Sequence, residues 1–353
     1  MVTPSLSLAI GDSIESIPLP TMTRESGQHL PIWQSTERAS RISSGATQES
    51  TLAPQRSPGT AFPPRIRRNP RLTIGMPLFN NERTVLRALN SIAAQSFRDF
   101  IVIVSDDGSS DATVELAQSV VSRDPRFSLV RQPRNLNYGN FRVLINEAKT
   151  ELFMFAAGDD FWHPNFVESC IQCLDENPQA VSAVSRVQFV NKVPLNYSTD
   201  TFALEDGAQK NIERFLRNSG DNSRMYGVFR TLPAQAAFPR NDHHAYDWTF
   251  SVGTLLAGTH LEIPQVLMYR EPTPHERYAH YARRDAAGLL DRVLPLRAMT
   301  VALLREKHIP VSGGVLRALV WTNLRAHAEY VRVFHPRYAR IASIILRPLL
   351  RII

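Results

Sequence analysis

Two apolar runs that each finish on a pair of aspartates restrict this chain more than any other feature. FIVIV at residues 100–104 continues into SDDGSSD, and LFMF at 152–155 continues into AAGDDFW. An unbroken β-branched or aromatic run suits a strand covered on both faces, as in a parallel sheet. The segments between such runs have helical spacing. After LTIGMPLF, residues 81–97 place Val85, Leu89, Ile92 and Ala93 on one face, with Asn81 as the expected N-cap. In SSDATVELAQSVV, Asp111 is the expected cap and Val114, Ala117 and Val121 the inward stripe. FSLVRQ reads as a third strand, Gly139 opens a helix, and Pro164 starts another through NFVESCIQCL.

Strand–helix alternation of this kind implies an open, mostly parallel sheet with helices on both faces. Ligands of such sheets bind at the carboxyl ends of the strands, where both Asp-Asp pairs fall. Turn and capping preferences account for Gly108, Ser109, Ser110 and Asp111. They do not account for two acids between the apolar stretches of AAGDDFW.

Composition sets the bounds. The chain has 353 residues, 43% of them hydrophobic, enough for a sizeable core in one large domain or two. Residues 1–68 are rich in Ser, Thr, Pro and Gln without a sustained period and are expected to be a disordered or linker segment. Residues 69–272 are expected to hold the α/β domain, with a nucleotide-binding half to 190 and an acceptor half from 191. Residues 273–353 read as a basic helical region. From Arg270 onward there are 15 Lys/Arg against 6 Asp/Glu, a surplus larger than the +7 of the whole chain. Such a tail suits an anionic membrane surface or the packing of Arg-rich helices; no nucleic-acid partner is expected. The closing segment IASIILRPLLRII is short, apolar and punctuated by arginine. Two cysteines make no disulfide framework and the start has no basic leader, which together point to the cytoplasm.

Carboxylates gathered at strand ends repel unless a cation or hydrogen-bond donors offset them. Hard oxygen ligands suit Mg²⁺ or Mn²⁺, which favour phosphate oxygens as further ligands. Neither GxxxxGK[ST] nor a GxGxxG following a strand is present, so a metal bridge to a nucleotide diphosphate is the expected substitute. CIQC reads as a core face of a helix rather than a metal or redox pair. HERYAH has one residue too many for a zinc helix.

The ordered series MPLFNNERTVLRALNSIAAQSF, VSDDGSSD, NLNYGN and FMFAAGDDFWHPNFVE resembles family 2 glycosyltransferases of the GT-A fold. The resemblance covers about a third of the chain, residues 72–190, with a weaker echo to 270. It implies an inverting hexosyltransferase that moves a sugar from a nucleotide-diphosphate donor to a glycan or lipid-linked acceptor hydroxyl, in polysaccharide or glycolipid synthesis. Donor contacts would come from Pro77, Phe79, Glu82, Asp107, Gly108, Arg142 and Asp159, with Asp107 on the base edge. Asp160 would hold the ion, and Asp159 the ribose or a shared coordination place. Ala157 stands where many members carry the first Asp of the Asp-x-Asp signature, which bears on which acid takes the metal. Asp247 in YDW matches the general base, with Asp242 as the runner-up. His243 and His244 lie beside the base, and Arg230 and Trp248 would border the acceptor. Two other classes use related sheets: a sugar nucleotidyltransferase, whose Gly-rich basic loop is here replaced by PLFNNER, and a non-catalytic nucleotide-sugar binder.

Overall fold

The computed structural model describes residues 70–190, 201–272 and 275–339. Expectations for residues 1–68 and for the closing segment 340–353 lie outside the described residues, as does the first part of the expected acceptor half, 191–200. The first half alternates as its pattern demands: β1 (Leu72–Leu78), α1 (Val85–Ala93), β2 (Phe100–Asp106), α2 (Thr113–Val121), β3 (Phe127–Arg131), α3 (Tyr138–Glu147) and β4 (Leu152–Phe155). Then come a short β5 (Phe161–Trp162), α4 (Phe166–Glu176) and β6 (Ala180–Phe189). The next stretch holds α5 (Ala208–Arg217), a 3₁₀ turn (Ser223–Tyr226), β7 (Val228–Arg230), α6 (Thr231–Ala237), α7 (Tyr246–Ala257) and β8 (Thr259–Arg270). Four helices close the described chain: α8 (His275–Asp285), α9 (Leu289–Val293), α10 (Arg297–Arg305) and α11 (Gly313–Phe334).

One eight-stranded sheet runs in the order β3-β2-β1-β4-β7-β6-β8-β5. Strands β1 to β4 are mutually parallel, with Leu78 opposite Asp106 and Gly75 opposite Phe155. Beyond them β7 runs antiparallel to both β4 and β6, β8 runs parallel to β6, and β5 antiparallel to β8. Side-chain alternation on β4 explains why helices cover both faces. Leu152, Met154 and Ala156 join a core with Val85, Leu89 and Ile92 of α1, Ala117 of α2 and Val167 and Cys170 of α4. Phe153 and Phe155 point the other way, into a core with Leu144 and Ile145 of α3, Ala234 of α6 and Phe250 of α7.

Local details differ from the expected caps for reasons of turn chemistry. Asn81 does not cap α1 directly. It heads a turn whose carbonyl accepts from Thr84 and Val85, while its side chain accepts from the Phe79 amide. Asp111 stands one residue before the cap of α2, yet its carboxylate accepts from the Thr113 amide and hydroxyl. The inward stripe of α2 is Thr113, Ala117 and Val120, with Val121 partly buried against the same core and Val114 outside it. Cys170 is fully buried on the core face of α4, and burial pushes its thiol well up. That is a packing role. The side chain of His275 in the zinc-like segment lies outside the described residues.

A third apolar cluster joins α5 and α7 to the closing helices. Ile212, Phe215, Leu216, Val252 and Leu255 pack with Met299, Leu303, Val315, Ala318 and Leu319. The Thr322 hydroxyl of α11 also donates to the Leu216 carbonyl of α5 at 2.9 Å.

Candidate active site

Parallel pairing of β1, β2 and β4 brings three loops to one edge of the sheet. The loops after β1 and β2 are stitched together: Asp107 N–H donates to the Leu78 carbonyl at 2.8 Å, and Asn80 N–H to the Ser109 hydroxyl at 2.9 Å. Asn80 adopts φ 53°, a region Asn tolerates better than most residues. Gly108 sits at φ 82°, which frees the turn after Asp107 from the strain a side chain would bring. Pro77 is half-buried at the end of β1, and Phe79 beyond it leaves 49% of its surface exposed, an open aromatic face. Glu82 is exposed and accepts from the Ala112 amide, so it steadies the start of α2.

Asp107 is buried and accepts the backbone amides of Leu136 and Asn137 at 2.7 and 2.9 Å. Those two amides hold its carboxyl down, against burial and the neighbouring Asp106, and burial prevails. Each oxygen keeps a second lone pair. Asp107 therefore also anchors the loop that opens α3.

The β4 loop folds back under β1. A Cβ on Gly158 would meet Leu78 Cδ2 at 2.5 Å and Asn81 at 2.9 Å, so any side chain here would push those two side chains aside. Thr84 donates to the Gly158 carbonyl and Arg87 to the Asp159 carbonyl, both at 2.8 Å. The two acids that follow differ sharply. Asp160 is buried: Oδ2 accepts from Arg270 Nε and Oδ1 from the Glu271 amide, each at 3.1 Å. Burial pushes its carboxyl up to about 7, against the pull of the Arg270 guanidinium. The Asp159 side chain is half-buried and takes no hydrogen bond or ion pair from the described residues.

Asp247 lies in the first turn of α7, the electropositive end of a helix. Asn222 Nδ2 donates to its Oδ2 at 3.0 Å. Burial raises its pKa, while Asn222, the helix-start amides and Arg270 oppose the rise. Tyr226 ties this acid to the β4 pair. Burial raises its hydroxyl, Arg270 opposes that, and Asp160, Asp159 and Asp247 all act on it through space. The Arg270 guanidinium lies 4.9 Å from the Tyr226 ring centre. Contacts join the two acids: Arg270, paired with Asp160, lies over Tyr226 and donates to the Asp221 carbonyl and the Ser223 hydroxyl, and Asn222 between those two residues holds Asp247.

Other sequence candidates stand apart. Arg142 on α3 is occupied: it donates to the Arg240 carbonyl at 2.6 Å and to Asp242 Oδ1 at 2.5 Å. Asp242 is accordingly half of an exposed ion pair, and Asp247 remains the acid at the site. Arg230 pairs with Leu152, at the beginning of β4, and donates to the Ala180 and Leu174 carbonyls. That is the opposite end of the strand from Asp159, so Arg230 does not reach the acceptor side. Trp248 packs edge-on against Phe215 at 6.3 Å, within the core shared with α5. His243 is buried between the Asn241 carbonyl and Thr249 hydroxyl. Arg270, Glu271, Tyr226 and Asn222 were not among the sequence candidates. Only the charged end of VLMYRE gave a signal for the first two.

The profile of the family described as "Glycosyl transferase family 2" matches residues 73–246, the span that supplies Asp107, Asp159, Asp160 and the residue before Asp247. These residues form a family 2 glycosyltransferase domain. Among relatives, the domain is similar to the teichoic acid poly(glycerol phosphate) polymerase of Staphylococcus epidermidis, 25% identical over 186 residues, which are 51% of this chain and 25% of that protein. It is also similar to the GalNAc(5)-diNAcBac-PP-undecaprenol beta-1,3-glucosyltransferase of Campylobacter jejuni, 34% identical over 96 residues, 26% of this chain and 30% of that one. The chain thus spans about a quarter to a third of the length of these two curated relatives. Among solved structures, S. aureus TarS overlays with a TM-score of 0.50 at 18% identity, over 80% of this chain and 52% of that chain. TarS 1-349 in complex with UDP-GlcNAc gives 0.51 at 16% identity, over 80% and 86%. At such identities the likeness concerns the fold, and the glycosyltransferase domain here has the GT-A architecture that the family resemblance implied.

Proposed function

We propose that this glycosyltransferase domain moves a sugar from a nucleotide-diphosphate donor to an acceptor hydroxyl with inversion, and that it does so with Mg²⁺ or Mn²⁺. The observation that carries the reading is the run of contacts from Asp160, next to Asp159, through Arg270 and the 221–223 turn to Asp247, with Asp107 and Phe79 at the ends of the neighbouring strands. The exposed Phe79 ring would stack on the base, and Asp107 would accept from the base edge with its remaining lone pairs.

The donor set fits a divalent ion. Among the described residues no group of three or more His, Cys, Asp or Glu could hold a metal by itself. A single half-buried carboxylate plus phosphate and water oxygens is the usual environment of Mg²⁺. We assign the ion to Asp159, whose oxygens no described residue engages. Asp160, given to Arg270 and the Glu271 amide, positions the loop instead. When bound, such an ion supplies Lewis-acid offset of charge on the departing diphosphate. Asp247 takes the proton of the acceptor hydroxyl as the new bond to the anomeric carbon forms and the bond to the diphosphate oxygen breaks.

Donor choice is testable directly. UDP-, GDP- and dTDP-sugars are screened by thermal shift and by donor hydrolysis with and without Mn²⁺. One nucleotide series should stabilise the protein in a metal-dependent way. Binding indifferent to metal would remove the ion from the scheme, and no binding at all would remove the transferase. A nucleotidyltransferase would instead release pyrophosphate from a nucleoside triphosphate.

We also propose that the enzyme works in the cytoplasm at the inner face of a membrane, in polysaccharide or glycolipid synthesis. No helix of the described residues is long and apolar enough to cross a bilayer. The support is an apolar outer stripe on α11, Leu316, Val320 and Leu324, flanked by Arg317 and Arg325.

A further inference from the structure

A cavity of about 400 Å³ opens between the start of α3, the turn before α7 and helices α8 to α10. Its wall includes Tyr138, Asp242, His244, Arg284, Asp285 and Arg297. More than half of the wall comes from residues after 246, outside the span that the family profile matches. We infer that this cavity is the docking site of the acceptor and takes a neutral, hydroxyl-rich sugar ring.

Position comes first. The Tyr138 ring lies 4.7 Å from that of Tyr246, the neighbour of Asp247. The loop that forms the wall also divides two sites: the amides of Leu136 and Asn137 point to Asp107, whereas the Tyr138 hydroxyl donates to Asp285 at 2.7 Å and accepts from Arg284 at 3.0 Å. A ligand in the cavity is therefore on the base side of that loop, away from the proposed nucleotide edge.

Charge decides the class. The two arginines of the wall are already paired, Arg284 with Asp285 at 2.7 Å and Arg297 with Asp291 at 2.5 Å, and Asp242 of the wall is taken by Arg142 at 2.5 Å. The carboxylates of the wall, Asp242, Asp285 and Asp291, outnumber its arginines, so a phosphate group would have to face them to reach a guanidinium. A polyol meets no such repulsion, because it uses the spare donors and acceptors of fixed ion pairs and places its ring on an aromatic face. His244 adds a neutral donor–acceptor: burial pulls its imidazole down to about 4, and no described residue hydrogen-bonds it. The Tyr138 ring, held under the Arg284 guanidinium at 5.5 Å, supplies the aromatic edge.

The word acceptor rests on the transferase reading; sugar binding in this cavity does not, and the experiment separates them. Methyl β-glucoside, methyl β-galactoside, methyl α-mannoside and methyl β-N-acetylglucosaminide are titrated into the full chain by saturation-transfer NMR. UDP and GDP with Mn²⁺ are titrated separately by calorimetry. Two plugs, Ala298→Trp on α10 and Ala287→Trp in the loop before α9, fill the rim from different elements, so one remains informative if the other misfolds. At least one glycoside should bind the unaltered chain, and either plug should weaken it about tenfold or more with nucleotide affinity within about twofold. The inference fails if nucleotide binds but no glycoside does, or if glycoside binding survives both plugs. It also fails if the plugs remove nucleotide instead, which would give the cavity to the donor. If no nucleotide binds the unaltered chain, the transferase reading falls while the glycoside titration still decides the cavity.

Discussion

Adjacent acids with opposite surroundings make the sharpest statement at the scale of the residue. Asp160 and Arg270 keep only 2% and 8% of their side chains exposed. Removing one partner of such a buried pair costs on the order of 3–5 kcal/mol. Asp160→Ala should therefore lower the melting temperature by several degrees, whatever it does to turnover. Asp159→Asn should leave the melt almost unchanged and abolish Mn²⁺-dependent donor binding. Calorimetric melts and metal titrations of both variants check the assignment, and a metal response kept in Asp159→Asn and lost in a still-folded Asp160→Ala would reverse it. Asp247 carries a pH signature. A base works only when unprotonated, and burial holds this carboxyl above its ordinary value. The acid limb of kcat/KM should thus lie above the usual range of an aspartate, near 3.9, with rate lost as pH falls through it. Asn222 lowers the same group by donating to it, so Asn222→Ala should move the limb further up. Asp247→Asn should cost about 10²- to 10⁴-fold in kcat.

Elements place these residues, and their legibility depended on whether the signal was local. Strands β1, β2 and β4 and the acids at their ends could be read because each is a continuous apolar run followed by polar punctuation within a few residues. β7 could not: VFR is three residues long and owes its place to antiparallel pairing with β4 and β6, far away in sequence. That insertion is what carried Arg230 to the wrong end of the sheet for an acceptor contact. The pairing of Asp160 with Arg270, 110 residues on, was equally hidden, and with it the division of labour between Asp159 and Asp160. Gly158 marks a contact between elements that sequence shows only as a glycine before two acids. Adding one methyl would press on Leu78 and Asn81 at the end of β1. Overpacking of this kind costs about 1–3 kcal/mol. Gly158→Ala should lose that much stability in denaturant melts, and it should weaken nucleotide and metal together, because the loop of Asp159 and the end of β1 must part.

At the scale of the molecule, the helices after residue 272 belong to the same core as part of the family 2 domain. Leu216, Val252 and Leu255 have Met299, Leu303, Val315 and Leu319 as buried neighbours. Each large aliphatic side chain so buried contributes about 1.5–3 kcal/mol, which exceeds the margin of an ordinary domain once several are uncovered. A chain ending at residue 272 should therefore be insoluble or melt far below the full chain, and limited proteolysis of the full chain should not release a stable fragment there. The outward side of the same helices carries the membrane proposal. Leu316, Val320 and Leu324 are 50%, 50% and 38% exposed, and their spacing of four puts them on one side of α11, opposite the buried Val315, Ala318 and Leu319. The stripe is apolar where water should favour polar groups, and arginines border it. Each arginine near an anionic surface contributes about 1 kcal/mol, screened by salt. The full chain should then float with phosphatidylglycerol vesicles in dilute buffer, stay behind with phosphatidylcholine vesicles, and detach at high salt. Leu316→Asp with Val320→Asp should abolish flotation with no change in nucleotide affinity, since neither side chain touches the strand ends. Flotation equal on both lipids would show insertion without charge, and none on either would leave the stripe to another occupant and remove the membrane from the scheme.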